Sequence, residues 1–386
     1  MKILIICGGA SGMLCALKSA EKGADVTVVE RNERVGKKLL ATGNGKCNLS
    51  NLGITKDAYN DDFVANVLSQ YDAQKIMAEF ASLGLLCKAD SEGRVYPYSE
   101  SATTVLNVLL QRLAERNVNV VLDCVAQKIE KKVSGFKVVT SKGEYYADKV
   151  VLATGSDATS GLNSHSLLSD FGHKIVPLNY AITPLLCKDV KGANGVRAKV
   201  YASIAINGII LMGENGELLF KDNALSGVLA FRLSSMLARY REKVKSCRVK
   251  IDFVPDMSEK ELADYIFDNC SVYAPLEGIL HKALASNVLA TVPMDRSLIM
   301  SRKKAEDIAH GCKNFQVNVS GVGGKSNAQV ASGGIALEDI DDTSLQSRQC
   351  KGLYIIGEAV DVDGLCGGFN LHWAWASALA CSKDML

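Results

Sequence analysis

Proline is scarce in this sequence, at 6 of 386 residues, and none of its 12 cysteines falls in a Cys-x-x-Cys pair. The scarcity of proline excludes collagenous and proline-rich disordered chains. The absence of paired cysteines excludes the motifs of zinc ribbons, iron–sulfur proteins and thioredoxin-like enzymes. No apolar run reaches the roughly 18 residues of a membrane helix. What remains is an ordinary globular composition, with 48% apolar and 22% charged residues.

The sequence also lacks an excess of charge of either sign. Lys and Arg total 44 against 42 Asp and Glu, which leaves a net charge of +2. Such a balance gives no global electrostatic footprint for nucleic acid or an anionic membrane, although a local basic patch stays open. We therefore expect a small-molecule substrate and no membrane partner, and nucleic acid is disfavoured. The sequence does not predict the oligomeric state.

The N-terminus resembles a secretory signal peptide only over its first few residues. Three glycines interrupt an apolar run that extends from Ile3 to Cys7, whereas a signal core needs about 7–15 apolar residues. Cysteines in apolar surroundings, such as Cys124 and Cys187, are typical of free thiols that serve as small buried hydrophobic residues in a reducing compartment. These features predict a cytoplasmic protein.

The first 30 residues have the pattern of a βαβ unit. The continuous apolar run Ile3–Cys7 predicts a strand buried on both faces of a parallel sheet. A Gly-rich turn follows, helical spacing runs from Met13 to Lys22, and Val26–Val29 predict a second buried strand. The chain therefore opens with a Rossmann-like α/β fold.

The later pattern continues this fold and then interrupts it. We predict helices near 72–84 and 101–116 and strands near 118–125, 135–140 and 145–154. Alternation over 196–206 leads to Asn207-Gly208 and a new apolar run, which is the strongest short-range signal of a β-hairpin. It predicts an inserted antiparallel, barrel-like domain.

Helical patterns follow the hairpin. Ser258 and Glu261 form a capping box that opens a helix to about 269, and a further helix is predicted over 276–289. The tail returns to α/β character, with a strand at 352–357 and a helix at 371–382. With about 100–200 residues per domain, the length of 386 residues fits this arrangement of two or three domains.

The turn after the first strand carries part of a dinucleotide fingerprint. In Gly-x-Gly-x-x-Gly the glycines allow a tight turn, close approach of the backbone to a pyrophosphate, and close helix packing. Gly9 and Gly12 hold the second and third positions, but Cys7 replaces the first. Glu30 ends the next strand, where a carboxylate accepts ribose hydroxyls and repels a 2′-phosphate. FAD and NAD both remain open at this point, and NADP is disfavoured in this pocket.

Longer blocks of sequence resemble a known family. The chain resembles the bacterial flavoproteins that include aminoacetone-oxidase-like and bile-acid-reductase-like enzymes, within the two-dinucleotide-binding flavoproteins. The blocks that carry the resemblance are Cys7–Gly12, Glu30–Leu39, Thr42–Asn51, Gly93–Pro97, Val151–Gly155, Leu225–Gly227, Ala328–Gly334, Gly352–Gly364 and Gly367–Trp375. His372 departs from the family pattern, which usually has Gln there.

This resemblance implies non-covalently bound FAD and a domain layout. The expected domains are a discontinuous FAD-binding domain at 1–180 and 331–386, a β-rich insertion at 181–255 and a mainly helical lobe at 256–330. The pyrophosphate is expected at Gly9, Ala10, Ser11 and Gly12, and the adenosine ribose at Glu30. The remaining residues expected to bind the cofactor are Arg31, Lys38, Leu39, Thr42, Gly43, Asn44, Cys47, Asn48, Val125, Thr154, Gly155, Gly357, Glu358, Asp361, Gly367, Gly368, Phe369, Asn370 and Leu371.

Some of these expectations are specific. The backbone of Val125 is expected to pair the adenine edge, and Glu358 or Asp361 to face the ribityl hydroxyls or a water bound to the pyrophosphate. A helix that begins near Phe369 would aim its N-terminus at the flavin pyrimidine edge and stabilise negative charge there. His372 is a candidate for a substrate or proton role, and Arg94 and Tyr96 are candidates for the pocket lining.

Other motifs fail. Cys47 has no second cysteine soon after it, which argues against a disulfide reductase. The segment Val319–Ser326 imitates a phosphate loop, but Val319 stands at its first required glycine. The remaining histidines are scattered without metal-ligand spacing, so no metal site is expected.

Two classes of function stay open. The first is an FAD-dependent oxidoreductase that transfers hydride between flavin N5 and a small organic or steroid-like substrate. Within it we expect a reductase of a conjugated C=C or enone, with NADH or NADPH as a transient reductant. A flavin oxidase of a small amine or amino ketone that releases hydrogen peroxide is the alternative. The second class is a non-catalytic flavin-binding redox sensor or RNA-associated flavoprotein.

Overall fold

A computed structural model describes residues 1–158, 165–240, 242–293 and 299–386 of the chain. The chain divides into two compact units, Met1–Asn179 with Gln329–Leu386 and Tyr180–Ala328. The strands are β1 (Lys2–Ile6), β2 (Asp25–Val29), β3 (Ser50–Asn51), β4 (Cys87–Ala89), β5 (Arg94–Pro97), β6 (Asn119–Val121), β7 (Ala126–Lys131), β8 (Phe136–Thr140), β9 (Gly143–Ala147), β10 (Lys149–Leu152), β11 (Ile175–Ala181), β12 (Leu185–Cys187), β13 (Arg197–Ile206), β14 (Ile209–Lys221), β15 (Ala224–Ser226), β16 (Cys247–Asp252), β17 (Phe315–Val322), β18 (Val330–Ile335) and β19 (Leu353–Ile355).

The helices are α1 (Ala10–Glu21), α2 (Lys37–Ala41), α3 (Ala65–Gln70), α4 (Ala73–Ser82), α5 (Ala102–Glu115), α6 (Gly227–Arg239), α7 (Glu259–Asn269), α8 (Lys282–Leu289), α9 (Arg302–Lys313) and α10 (Phe369–Met385). Short 3-10 turns connect several of them, including Gly357–Ala359. In the described residues, no helix is both long and apolar enough to cross a membrane.

The first unit contains a parallel sheet with the strand order β19-β10-β1-β2-β6. The central strand β1 pairs in parallel with β2 on one side and β10 on the other, with Ile5 opposite Val28 and Val151. These side chains are buried because both faces of the sheet are covered, as the continuous apolar runs predict. The unit also holds the antiparallel sheets β7-β8-β9 and β3-β5-β4.

The second unit is built on a closed antiparallel barrel, in the order β12-β15-β14-β13-β16-β17. The hairpin β13–β14 turns at Asn207-Gly208, and Ile206 pairs with Ile209. The described helices of this unit are α6 to α9. The predicted fold class, a Rossmann-like α/β domain with a barrel-like insertion, is confirmed.

Two local predictions need correction. The helix predicted over 276–289 begins only at Lys282, where the His281 side chain accepts a hydrogen bond from the Ala283 N–H. Leu276 is buried, but in an irregular turn. The region expected as a mainly helical lobe also supplies β17, which pairs with β12 and β16 inside the barrel.

Candidate functional site

The turn between β1 and α1 has the backbone of a dinucleotide cradle. Cys7 adopts a φ of 89°, a left-handed conformation that favours glycine, so the fingerprint geometry persists although the glycine is absent. A Cβ atom at Gly12 would overlap the Cys7 carbonyl oxygen, which explains the glycine there. Gly9 caps α1 without a side-chain hydrogen bond, and no acidic residue lies in the first turn. The helix N-terminus therefore presents N–H groups and partial positive charge to an anion.

Glu30 follows β2 and is only 2% exposed. Its carboxylate accepts hydrogen bonds from the Gly8 N–H at 2.8 Å, the Asn32 N–H at 2.9 Å and the Asn32 side-chain amide at 2.6 Å. Burial, and then the charge of Glu30, raise the pKa of the Cys7 thiol, so the thiol stays protonated. Glu30 thus fixes the Gly-rich turn and keeps limited acceptor capacity for a ribose hydroxyl. The neighbouring Arg31 is half-buried.

The loop after α2 folds through an unusual run of left-handed residues. Gly43, Asn44 and Cys47 all have φ values between 55° and 57°. Thr42 donates a hydrogen bond to the carbonyl of the buried Leu39. Burial raises the pKa of Cys47 to about 12, which makes it a poor thiolate nucleophile.

A turn at Gly357 contacts both α1 and α10. A Cβ at Gly357 would lie 2.7 Å from the Ser11 hydroxyl of α1. The Trp373 indole of α10 donates to the Gly357 carbonyl at 3.1 Å, and the Ser377 hydroxyl accepts from the Gly357 N–H at 3.0 Å. Gly357 therefore lies between the start of α1 and the second and third turns of α10.

Acidic side chains after Gly357 anchor neighbouring backbone. Glu358 forms an ion pair with Lys38 and accepts from the Ala331 N–H at 2.9 Å. Asp361 accepts from the Gly333 N–H at 2.8 Å. A Cβ at Gly155 would lie 3.6 Å from a Glu358 carboxylate oxygen, which brings the end of β10 to the same place.

The N-terminus of α10 begins at Gly368 in a left-handed conformation, with φ of 104°, after Gly367 with φ of 127°. A Cβ at Gly368 would overlap the Ser50 carbonyl oxygen. As in α1, neither a capping side chain nor a first-turn acidic residue is present. This terminus therefore also carries uncompensated positive charge.

The residues after Gly368 have structural roles. The Asn370 side chain both accepts from the Gly364 N–H and donates to the Gly364 carbonyl, so it closes its own loop. Phe369 is buried and Leu371 half-buried. The Asn370 side chain is thus committed within the loop rather than free for a cofactor.

His372 does not match the proposed substrate or proton role. It is 0% exposed, and its Nε2 lies 2.9 Å from the Tyr71 carbonyl oxygen while its Nδ1 lies 2.8 Å from the Ser50 hydroxyl. Since a carbonyl only accepts, Nε2 carries the proton and Nδ1 accepts from Ser50. Burial lowers the pKa of His372 to about 4. Both ring nitrogens are used, so His372 positions Ser50 and does not touch a substrate.

The Val125 backbone has hydrogen-bond partners within the chain. Its N–H donates to the Ser141 hydroxyl at 3.0 Å, and its carbonyl accepts from the Ser141 N–H at 2.9 Å. The backbone expected to pair with an adenine edge is thus bonded to Ser141 in this structure. The side chain is exposed and remains available for apolar contact.

Several residues at the site were not predicted from the sequence. Asn32 shares the Glu30 carboxylate, and the Trp375 indole donates to the Leu49 carbonyl at 3.2 Å. The two tryptophans of α10 carried a usable signal, because a buried indole N–H needs an acceptor. No sequence signal indicated the role of Asn32, because that role depends on how the chain turns after β2.

Comparison with known proteins identifies the family. The model of the HI0933-like protein Rossmann domain matches residues 1–384. The chain is 32% identical to the 3-dehydro-bile acid delta(4,6)-reductase of Clostridium scindens, covering 99% of this chain and 98% of that protein. The chain belongs to the HI0933-like Rossmann family. The predictions of a flavoprotein family and of an oxidoreductase are confirmed at that level.

Two further proteins are less similar to this chain. The ribosomal RNA dihydrouridine synthase of Escherichia coli is 26% identical, covering 99% of this chain and 97% of that protein. The open conformation of a flavocytochrome c3 fumarate reductase has a TM-score of 0.50 at 16% identity, covering 99% of this chain and 77% of that chain. This structural likeness shows the fold alone.

The site has unmet polar groups that fit a flavin dinucleotide. The Asn48 side-chain oxygen and the Thr154 hydroxyl are buried without a hydrogen-bond partner. An unpartnered buried polar atom is costly, and a bound ligand is one way to satisfy it. Asn48 lies beside Gly368 at the start of α10, and Thr154 lies between Ala153 and Gly155 near the start of α1. A polar cofactor that spans both helix N-termini could contact both atoms.

Proposed function

We propose that the protein is an FAD-dependent reductase of a C=C bond conjugated to a carbonyl, with a steroid-like enone as its substrate class. NADH or NADPH acts as a transient reductant. The observation that carries the proposal is the 32% identity, over nearly the whole of both chains, to a protein named as a 3-dehydro-bile acid delta(4,6)-reductase. The Gly-rich cradle at the start of α1 and the uncapped start of α10 support it.

The residues that would hold FAD follow from this cradle. Gly9, Ala10, Ser11 and Gly12 would meet the diphosphate at the N-terminus of α1. Glu30 would accept a ribose hydroxyl, and Thr154 and Asn48 would gain the partners they lack. When bound, FAD supplies two-electron chemistry between the nicotinamide and the substrate double bond. The N-terminus of α10 would stabilise negative charge on a flavin bound against it.

Tyr96 is the residue that we assign to proton supply. Reduction of a C=C bond needs a proton as well as a hydride. Tyr96 lies on β5 next to the left-handed loop, since a Cβ at Gly43 would be 3.5 Å from Tyr96 Cε1. Burial raises the pKa of Tyr96, although Arg94 and Lys46 oppose that shift, so its hydroxyl holds a proton at neutral pH. In the described residues this hydroxyl has no hydrogen-bond partner, which leaves it free to donate.

A second candidate is the reduction of uridine in RNA. Two curated relatives, at 24% and 26% identity over nearly the whole chain, are named as ribosomal RNA dihydrouridine synthases. The uracil C5=C6 bond is also conjugated to a carbonyl, so the same redox chemistry applies. We rank this function second because the identity is lower and the net charge of +2 provides no general attraction for RNA.

The deciding experiment follows flavin absorbance in the purified protein. We expect bound FAD, anaerobic bleaching by NADH or NADPH, and fast reoxidation by a steroid enone but slow reoxidation by O₂. Fast peroxide formation with an amine would instead indicate an oxidase, and reoxidation by a uridine-containing ribosomal RNA fragment would indicate the second candidate. A protein without flavin would contradict the proposal.

The variant Tyr96→Phe tests the proton assignment in the same assay. We expect unchanged flavin content and unchanged bleaching, with reoxidation by the enone slowed about 100-fold, the lower range for loss of a general acid. Tyr98→Phe is the matched control, because Tyr98 is an exposed tyrosine just beyond the same strand. Equal rates in both variants would remove Tyr96 from the reaction.

A further inference from the structure

The second unit presents an exposed apolar surface at the end of its longest hairpin. Ile209 is 61% exposed, Ile210 67% and Leu211 36%, all at the start of β14. Val244, in the loop before β16, is 42% exposed. We call these four residues the barrel tip. Single exposed aliphatic side chains are common, but several of them at one end of a barrel mark an interaction surface.

Asn207 holds the barrel tip together. Its side-chain amide donates to the Lys243 carbonyl at 3.0 Å, and its side-chain oxygen accepts from the Lys245 N–H at 2.7 Å and the Ser246 N–H at 3.2 Å. Its backbone N–H donates to the Ser246 carbonyl. The loop that carries Val244 is therefore fixed against the hairpin turn.

Basic side chains surround the barrel tip. Lys243 and Lys245 flank Val244, and both are exposed. Ala205 pairs with Ile210 on one side and with Arg248 on the other, so Ile210 and Arg248 share the outer face of the barrel. The exposed Lys250 follows two residues later on that face.

The charge at this end of the barrel is mainly positive. In the described residues, none of these four cations forms an ion pair with a carboxylate. The nearby Glu242 accepts a hydrogen bond from the Tyr240 hydroxyl and is the acidic residue of this loop. An apolar centre with unpaired cations around it is complementary to a surface that is anionic outside and apolar beneath.

We propose that the barrel tip inserts into the interface of an anionic lipid bilayer. Aliphatic side chains partition among acyl chains, while lysine and arginine remain at the level of the anionic headgroups. RNA fits less well, because none of the four tip residues is aromatic, and the nearby Tyr240 is half-buried with its hydroxyl bonded to Asn207 and Glu242. A second copy of the chain fits less well, because a two-fold contact would bring the same cations together. This binding is peripheral and goes beyond the sequence-based expectation, which was of no membrane partner.

Vesicle sedimentation of the full chain tests the proposal. We expect binding to vesicles of phosphatidylcholine with phosphatidylglycerol, little binding to phosphatidylcholine alone, and loss of binding in high salt. The double variant I209N/I210N should weaken binding to the anionic vesicles about tenfold or more, because it removes the apolar contact. K243A/K245A should weaken it roughly fivefold for each charge removed.

The controls separate binding from folding. L86N, which replaces an exposed leucine of the first unit, should bind like the wild type. Each variant should keep the wild-type unfolding temperature, since the substituted side chains are exposed. Equal binding by I209N/I210N and wild type, equal binding to neutral vesicles, or absence of vesicle binding would overturn the proposal. The proposal would also be overturned if the wild type formed a dimer, or bound an oligoribonucleotide, and both tip variants lost that property but still bound vesicles.

Discussion

At the scale of single residues, buried polar side chains fix the backbone of the candidate site. Glu30 satisfies N–H groups from the Gly-rich turn and from Asn32, and His372 bridges Ser50 and Tyr71. Each of these side chains stabilises a segment that would otherwise have unpaired groups in the interior. Substitutions here should therefore change stability as well as cofactor retention, and the two effects can be separated.

The substitution Glu30→Gln tests the first of these residues. The introduced amide has a donor where the carboxylate accepts, so at least one of the N–H groups of Gly8 and Asn32 loses its partner. We expect a loss of about 2–4 kcal/mol in the free energy of unfolding, since each charge-assisted bond is worth about 1.5–3 kcal/mol. FAD content after purification should also fall. Glu33→Gln, at an exposed position, is the control, and wild-type flavin content in Glu30→Gln would count against the ribose assignment.

His372 predicts a pH dependence of stability. Its pKa is lowered from 6.5 in the unfolded chain to about 4 in the folded protein, because burial disfavours the charged form. The unfolded state therefore binds more protons between these pH values, so stability is complete above pH 6.5 and falls as the pH drops toward 4. The loss over this window is about 3 kcal/mol. His372→Gln keeps a donor for Tyr71 and an acceptor for Ser50, and it should remove this part of the slope in urea unfolding at a series of pH values. Identical slopes for the two proteins would contradict the assignment.

At the scale of elements, two helix N-termini and one Gly-rich turn define the site. α1 and α10 approach each other at Gly357, and each begins with a glycine and without a capping side chain. The missing caps leave the N–H groups of both first turns open to a ligand. The glycines differ in function. At some positions a side chain would clash within the fold, whereas at others the missing side chain only leaves room for a ligand.

Gly12 and Gly9 form a matched pair for testing this difference. A Cβ at Gly12 would overlap the Cys7 carbonyl, so Gly12→Ala should push α1 away from β1 and cost about 3 kcal/mol or more of stability. A Cβ at Gly9 would have its nearest neighbour at 3.8 Å, so Gly9→Ala should fold normally. Its methyl group would instead obstruct a close diphosphate, and FAD content should fall. Thermal unfolding of the FAD-free proteins and flavin absorbance measure the two effects, and a stable Gly12→Ala protein would refute the packing argument.

The elements also show what the sequence could predict. Local signals were sufficient where the chemistry is local: Asp72 caps α4, Ser258 and Glu261 form the capping box of α7, and Asn207 turns the hairpin. Prediction failed where a partner comes from a distant part of the chain. Ser141 is hydrogen-bonded to the Val125 backbone, and Ser50 and Tyr71 are hydrogen-bonded to His372. No rule of spacing along the sequence reveals such pairs.

At the scale of the whole molecule, the site residues and the barrel belong to different units. The chain leaves the first unit after Asn179 and returns at Gln329. The proposed cofactor-binding residues lie in the first unit, whereas the second unit is one continuous segment with its own hydrophobic core. A closed barrel leaves no unpaired strand edge, which makes such a segment self-sufficient.

A fragment of residues 180–328 should therefore fold without the rest of the chain. We expect a β-rich circular dichroism spectrum, one cooperative unfolding transition and no bound flavin, because Gly12, Glu30 and Gly357 are all absent. The same fragment with Val249→Asp places a carboxylate at a fully buried barrel position and should not fold, so it supplies the baseline for an unfolded chain. A wild-type fragment indistinguishable from that baseline would show that the barrel depends on the first unit. A fragment that bound flavin would move the cofactor away from the starts of α1 and α10.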